Sequence, residues 1–215
     1  MDAVTDTREA LLDAAEGLFA EHGIQASSLR AITQQAGANL AAVHYHFGSK
    51  EGLVRAVFSR RLGPLNQERV RQLEECERAE GGVEEVLRAF VGPVLKMKRE
   101  APEGSRRFSR LMGRSFTEPS EEVRAIMTEE FGPMIRRFSA ALARRLPHLP
   151  QPEILWRLHF AAGAMAHTAA CGYLLEHHSE GACRAADPEA LEHLITFLSA
   201  GLRAPAVGNG QGGRD

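Results

Sequence analysis

The chain has 215 residues, 44% of them hydrophobic and 25% charged, with a formal net charge of −2. This composition is that of an ordinary globular protein, and no apolar run approaches the ~20 residues that a membrane-spanning helix needs. The three cysteines are odd in number and widely spaced, which argues against a disulfide framework. With no secretory signal visible in residues 1–7, the sequence predicts a cytoplasmic protein without a membrane partner.

Charge is unevenly distributed along the N-terminal third of the chain. Residues 2–21 contain six acids and one base, whereas residues 28–61 contain five bases and one acid. The five bases of this basic segment are Arg30, Lys50, Arg55, Arg60 and Arg61. A basic segment within a slightly acidic chain is typical of a local anion contact, although a solvated helix face gives the same pattern.

Apolar residues recur with helical period, and no useful strand alternation is present, so the sequence predicts an all-α fold. Four helices are expected near the N-terminus. The first three cover about 7–22, 28–36 and 40–46, and the fourth begins at about residue 50. Asp6, Ser27 or Ser28, and Ser49 have the side chains that cap helix starts. Gly23, Gly37 and Gly48 suit the positions where these helices end.

The rest of the chain is predicted to be longer helices joined by short loops. Gly-Pro pairs at 63–64, 92–93 and 132–133 indicate either kinked helices or helix boundaries. Loops are expected at 80–82, 101–105 and 146–151. Two further helices are expected at 152–178 and from Asp187-Pro188 to about 203, and residues 204–215 form a Gly-rich tail predicted to be disordered.

The stretch NLAAVHYHFGSK (39–50) contains two histidines, which raises the question of a metal site. Because helix residues turn by roughly 100° each, His44 and His46 point about 200° apart and cannot share one metal ion. The same geometry turns Leu40, Val43 and Phe47 toward the core. It turns the small residues Ala41 and Ala42, together with His44 and Tyr45, toward a partner.

Two short helices joined at 37–39 form a helix-turn-helix, whose second helix enters the major groove of DNA. The helix starts at Ser28 and Ser49 offer free backbone N–H groups to phosphates, and Lys50 adds positive charge. The sequence therefore predicts an N-terminal three-helix DNA-binding domain with a helix-turn-helix. A larger C-terminal helical domain for ligand binding and dimerisation is expected to follow.

Residues 8–58 resemble the N-terminal domain of the TetR family of transcriptional repressors. The shared positions are Ala14, Phe19, Gly23, Ile32, Ala36-Gly37, Tyr45-His46-Phe47 and Lys50-Glu51. The resemblance implies that Ser28 and Tyr45 touch phosphates, that Arg30 reaches a base or a phosphate, and that Ala41, Ala42 and His44 lie against base edges. It also implies that Lys50 anchors the DNA backbone and that His46 is structural. The partner would be a double-stranded, pseudo-palindromic operator bound by a homodimer.

The stretches AVFSRRLGPLN, FSRLMGRSF and PEILWRLHFAAGAMAH resemble the fatty-acid-responsive branch of this family typified by PsrA. That resemblance implies release from DNA by a long-chain fatty acid or acyl-CoA, the alternative being a repressor of a transporter or another operon that responds to a different hydrophobic molecule. Two apolar stripes are candidates for the effector site, although such stripes are more often core. They comprise Phe108, Leu111, Met112 and Phe116 on one helix and Trp156, His159, Phe160, Gly163 and His167 on another.

An Ala-rich face at 161–170 and the stripe Leu191, Leu194, Ile195 and Leu198 predict a dimer built from the last two helices. His167 and Cys171 lie one helical turn apart, but no third group orients them, so no enzyme, catalytic residue, metal or cofactor is expected. The predicted domains are a DNA-binding domain at 1–50, a regulatory and dimerisation domain at 51–203 and a tail at 204–215.

Overall fold

The structure is a computed structural model that describes residues 3–100, 102–117 and 120–207, with side chains over 6–100, 106–115 and 120–207. Within these ranges the chain is all-α, which confirms the predicted fold class. The helices are α1 (Ala3–His22), α2 (Leu29–Gln35), α3 (Leu40–Phe47), α4 (Lys50–Arg78), α5 (Val83–Glu100), α6 (Pro102–Thr117), α7 (Glu121–Arg145), α8 (Gln151–His178) and α9 (Glu189–Arg203).

Local capping sets the starts of the short helices near the N-terminus. The Ser28 hydroxyl accepts a hydrogen bond from the backbone N–H of Ala31 at 3.1 Å, and the Asn39 side chain accepts one from Ala42 at 2.9 Å. Each bond satisfies a donor that the first turn of a helix leaves unpaired. The predicted start at Ser28 is confirmed, and the cap of α3 is Asn39.

The three Gly-Pro pairs lie inside α4, α5 and α7, so they are not helix boundaries. The loop predicted at 101–105 is wrong, because α6 begins at Pro102. Proline is well suited to the first position of a helix, where its missing N–H would have no partner. The loop expected at 80–82 does separate α4 from α5.

The chain divides into two compact units, one made of residues 1–68 and 97–133 and the other of residues 69–96 and 134–215. The first unit extends beyond the expected 1–50 boundary, which falls at the start of α4. Its core includes Leu11, Leu12 and Phe19 of α1 together with Leu53 and Phe58 of α4, all fully buried. α6 belongs to this unit and packs against α1.

The second unit has a core around Phe90 and Phe138, whose rings meet edge to face at 5.2 Å. α8 and α9 pack against each other in this unit. Of the predicted tail, residues 204–207 are described and 208–215 lie outside the described residues. None of the described helices combines the length and the apolar character that crossing a membrane requires.

Candidate nucleic-acid interface

α3 has one face in the core of its unit and the other in solvent. Val43 is fully buried, whereas Tyr45 is 78% exposed. Ala41 and His44 are exposed as well, and Ala42 is half-buried. The predicted outward face is therefore exposed, with small side chains beside a histidine and a tyrosine.

Two residues predicted to face the core are more accessible than expected. Leu40 is 48% exposed, because it is the first residue of α3 and lies at the helix-turn-helix turn. Phe47 is half-buried, with the Arg8 guanidinium 5.6 Å from its ring centroid. The expectation that Leu40 packs inside is wrong.

The other predicted DNA contacts lie on the neighbouring elements. Ser28 and Arg30, at the start of α2, are both exposed. Lys50, the first residue of α4, is half-buried, and its ammonium lies 3.5 Å from the carbonyl oxygen of Gln25. This contact keeps the charge of Lys50 close to the turn that precedes α2.

Two glycines fix the connection between α3 and α4. Gly48 has a φ of +74°, a conformation that L side chains rarely adopt. A Cβ on Gly52 would lie 2.0 Å from the carbonyl oxygen of Phe47, so any side chain there would collide with backbone. The Ser49 hydroxyl accepts from the Gly52 N–H at 3.1 Å and caps α4. The start of α4 is thus held tightly against the end of α3.

The backbone of Gly48 makes two hydrogen bonds with His44. Its N–H donates to the His44 carbonyl oxygen at 3.0 Å, and its carbonyl oxygen lies 2.9 Å from Nδ1 of the His44 ring. The ring of this exposed histidine is therefore oriented by the backbone of its own helix end.

The basic segment does not present all its charges to solvent. Glu16 is buried, and its carboxylate accepts from Arg60 Nη2 at 2.6 Å and from Arg61 Nε and Nη2 at 3.0 Å each. Arg60 also donates to Asp13 at 2.8 Å and to Glu9 at 3.3 Å. The footprint of an anion contact inferred from all five bases is thus wrong for Arg60 and Arg61, which bind acids of α1.

A second acidic group lies near the base of α4. Arg55 pairs with Glu129 of α7, and Glu122 at the start of α7 lies close to Glu51, Lys50 and Arg55. Burial, with a smaller contribution from Glu51, raises the pKa of Glu122. A hydrogen bond from Ser49 lowers the pKa of Glu51. Lys50 and Arg55 therefore have both acidic and basic groups nearby. Arg30, in contrast, forms no ion pair with any of the described side chains.

The expected effector stripe on α6 is largely interior. Phe108 and Leu111 are buried, and Met112 is half-buried. The side chain of Phe116 lies outside the described residues. α6 packs on α1, where a Cβ on Gly23 would lie 3.1 Å from an Arg114 nitrogen.

The expected effector stripe on α8 is in a different environment. Trp156 and Phe160 are 60% and 61% exposed, and their rings stack with centroids 5.7 Å apart. His159, Gly163 and His167 are exposed too, and the Gly163 Cα borders open space. In the single chain these five residues lie in solvent, because α8 turns its opposite face, with Ile154, Leu158 and Met165, into the core of the unit. Their role in effector binding stays a prediction.

The apolar stripe on α9 is mostly buried, in contrast to the exposed stripe on α8. Leu194, Ile195 and Leu198, expected at a dimer interface, are buried within the chain, and the exposed aromatic of this helix is Phe197, at 71%. A cavity of about 380 Å³ lies between α8, α9 and their connection, lined in part by Thr168, Cys183, Asp187, His193 and Phe197. It contains none of the predicted effector residues.

Two buried arginines are absent from the sequence-based predictions. Arg157 of α8 donates to the carbonyls of Gly201, Leu202, Ala204 and Pro205 at 2.7–3.1 Å and to Glu153 at 2.8 Å. Its i, i+4 spacing from Glu153 within an apolar helix was a usable signal. Arg69 of α4 donates to the Phe90 carbonyl at 2.8 Å, and burial lowers its pKa to about 10. No local pattern marks Arg69 as buried.

Two family models match the chain. One, described as bacterial regulatory proteins of the tetR family, matches residues 11–57, and the other, described as a tetracyclin repressor-like C-terminal domain, matches residues 88–201. The helix-turn-helix lies within the first match, and α8 and most of α9 lie within the second. The chain belongs to the TetR family, whose members are transcriptional regulators rather than enzymes.

Known relatives agree with this placement. The transcriptional repressor AcnR of Corynebacterium glutamicum is 31% identical over 90 residues, which are 42% of this chain and 43% of that protein. The transcriptional repressor ComR of Escherichia coli is 33% identical over 99 residues, 45% of this chain and 46% of that protein. The chain thus matches less than half the length of these curated relatives.

Among solved structures, the fatty acid degradation regulator FadR of Bacillus halodurans superposes with a TM-score of 0.67 at 16% identity, over 92% of this chain and 96% of that one. FadR of Bacillus subtilis in complex with stearoyl-CoA superposes with a TM-score of 0.67 at 14% identity, over 90% of this chain and 98% of that one. These likenesses establish the fold. The resemblance to the PsrA-type branch stays a prediction.

Proposed function

We propose that this protein is a transcriptional repressor that binds a pseudo-palindromic operator as a homodimer and is released by a hydrophobic effector. TetR-family regulators bind operators as dimers and respond to small molecules. The observation that carries the proposal is α3 itself, on which Tyr45 is 78% exposed while Val43, two residues earlier, is fully buried. A helix held rigidly on one side and open on the other suits insertion into the major groove.

On this proposal the contacts divide into two kinds. Ser28, Tyr45 and Lys50 contact phosphates and set the position of the domain on the duplex. Ala41, Ala42 and His44 approach base edges, and Arg30 reaches a base or a phosphate. Phosphate contacts carry affinity for every sequence, whereas base contacts carry the preference for one.

The test is a titration of selected and scrambled duplexes at fixed salt. Replacement of His44 by Ala is expected to relax preference at one base pair by about 1–3 kcal/mol while leaving affinity for scrambled DNA unchanged. Wild-type preference in the His44→Ala protein would mean that His44 does not read a base. Wild-type affinity and preference in both the His44→Ala and the Tyr45→Ala proteins would mean that α3 does not enter the groove.

We infer that self-association uses the exposed faces of α8 and α9. The α8 aromatic cluster (Trp156, His159 and Phe160) and Phe197 of α9 are large apolar groups left in solvent by the single chain. Exposed apolar groups in contiguous sets mark interaction surfaces. A twofold interface also matches the symmetry that two operator half-sites require.

This interface can be tested by sedimentation. Trp156→Glu combined with Phe160→Glu is expected to yield monomers with an unchanged helical content by circular dichroism, because both side chains are outside the core. The control is His178→Glu, at an exposed position at the end of the same helix. A double variant that remains fully dimeric would show that the interface does not involve this face of α8. Substitution of the buried Leu194 and Leu198 would damage the fold instead of testing the interface.

For the effector we propose an acyl chain that contacts the α6 face of Phe108, Leu111 and Met112. Support comes from the apolar character of this face and from the fold shared with a protein whose structure holds stearoyl-CoA. α6 packs against α1 of the DNA-binding domain, so a change in α6 has a direct route to α3 through one unit. A different hydrophobic effector would use the same route.

The effector test is release of operator DNA by free fatty acids and acyl-CoAs of increasing chain length. Each buried CH₂ contributes about 0.8 kcal/mol, roughly fourfold in affinity, until the site is filled. Met112→Glu should abolish the response, whereas Arg110→Glu, at an exposed position on the same helix, should not. By reciprocity, operator DNA should weaken acyl binding by the same factor. Release without any dependence on chain length would reject the acyl chain and leave the DNA-binding proposal standing.

A further inference from the structure

The hydrogen bond between the His44 ring and Gly48 determines what kind of base group this histidine can recognise. Nδ1 lies 2.9 Å from the Gly48 carbonyl oxygen. A carbonyl oxygen only accepts, so Nδ1 must be the protonated nitrogen. In the neutral ring the other nitrogen, Nε2, then has a lone pair and no proton, which makes it a hydrogen-bond acceptor.

We propose that Nε2 of His44 accepts a hydrogen bond from an exocyclic amino group in the major groove, either N6 of adenine or N4 of cytosine. These are the only donors that base pairs display there, whereas guanine N7 and O6 and thymine O4 are acceptors. The inference rests on the proposed function, because it takes α3 as the helix that enters the groove.

The surroundings of His44 favour a fixed contact. The Gly48 backbone bonds both the carbonyl oxygen and the ring of His44, and its φ of +74° is a conformation that L side chains rarely adopt. Ala41, one turn earlier on the same exposed face, adds no bulk that would keep the ring away from a base. A ring held in one tautomer and one orientation loses less conformational entropy on binding than a free side chain would.

The first arm of the test does not involve DNA. Nitrogen NMR of the free protein with ¹⁵N-labelled histidine reports the tautomer of each ring, and His44 is assigned by comparison with the His44→Ala protein. The expected result is that the neutral form of the His44 ring carries its proton on Nδ1. A neutral form with its proton on Nε2 instead would overturn the inference, whatever the outcome of any DNA experiment.

The second arm uses an operator selected from random duplexes. Each adenine is replaced in turn by purine, which lacks the N6 amino group, and each cytosine by 2-pyrimidinone, which lacks the N4 amino group. Guanines are replaced by 7-deazaguanine as acceptor controls. Loss of one amino group per half-site should weaken wild-type binding about tenfold. The position that responds distinguishes adenine from cytosine.

His44 variants show whether that loss depends on the ring. The His44→Ala protein should bind the intact and the amino-deleted duplex equally, which also controls for the base-pairing hydrogen bond lost with the amino group. The His44→Gln protein, whose side-chain carbonyl oxygen still accepts, should keep part of the tenfold difference.

Three outcomes are separable. If wild type and His44→Ala lose the same factor at every amino deletion, His44 does not read an amino group. A His44-dependent loss at a 7-deazaguanine would mean that the ring donates rather than accepts. Failure to select any preferred duplex would overturn the proposed function itself, and this inference with it.

Discussion

Two parts of one basic segment have different surroundings. Arg30 and Lys50 lie at the starts of α2 and α4, and the Lys50 ammonium donates a hydrogen bond to the Gln25 carbonyl at 3.5 Å. Arg60 and Arg61, about ten residues further along α4, are held by the buried carboxylate of Glu16. The first pair is available to a phosphate, and the second pair joins α4 to α1.

The difference shows that a run of bases in the sequence is not in itself a binding surface. Residues 2–21 contain six acids, and three of these, Glu9, Asp13 and Glu16, are the partners of Arg60. Part of the acidic segment and part of the basic segment therefore pair with each other in an internal ion-pair cluster. The bases of this comparison that are left for a contact with DNA are Arg30 and Lys50, at helix starts beside the exposed face of α3.

The largest expected effect comes from removing the buried acceptor of this cluster. Glu16→Ala should lower the free energy of unfolding by about 3–5 kcal/mol, because it leaves two arginines partly buried without their main partner. Urea denaturation measures the change. Asp13→Ala is the matched control, since the Asp13 side chain is 70% exposed and its loss should cost less than about 1 kcal/mol.

Equal stability of the Glu16→Ala and Asp13→Ala proteins would contradict the assignment of the cluster to the fold. A Glu16→Ala protein that folds normally but binds DNA more tightly would show instead that Arg60 and Arg61 are phosphate contacts restrained by the acid.

A smaller effect is expected at the exposed face of α3. Tyr45→Ala should weaken binding to specific and scrambled duplexes alike by about 1–2 kcal/mol, because it removes a hydrogen bond to a charged phosphate. Tyr45→Phe separates the hydroxyl from the ring and should lose most of the same amount. The side chain is 78% exposed, so neither change should alter the melting temperature. A loss confined to one sequence would make Tyr45 a base contact.

The helix-turn-helix was predictable because its signals are local. Asn39 and Ser28 cap helices from three residues away, and Gly48 marks a backbone conformation that few other residues adopt. Each of these signals depends only on residues that are neighbours in the chain. The starts of α2, α3 and α4, and the exposure of His44 and Tyr45, therefore follow from the amino-acid sequence of this segment.

The regulatory helices were harder to predict because an apolar stripe does not say what covers it. Helical period identified both the Trp156–His167 stripe of α8 and the Leu191–Leu198 stripe of α9, yet the chain leaves the first exposed and buries most of the second. Which stripe faces the core is decided by packing between distant segments. The same holds for Arg157, whose partners at 201–205 are more than forty residues away.

The smallest effects should appear in the salt dependence of DNA binding, which distinguishes the two parts of the basic segment most directly. A base that neutralises a phosphate releases a counterion, so its loss lowers the slope of log affinity against log salt by about one. Arg30→Ala and Lys50→Ala should each produce that decrease. Arg55→Ala, whose guanidinium pairs with Glu129 on an exposed surface, should change neither the slope nor the stability by a measurable amount. If Arg55→Ala lowers the slope as much as Lys50→Ala does, the Glu129 pair opens on DNA, and the charge available to phosphates extends further along α4 than the structure of the free chain indicates.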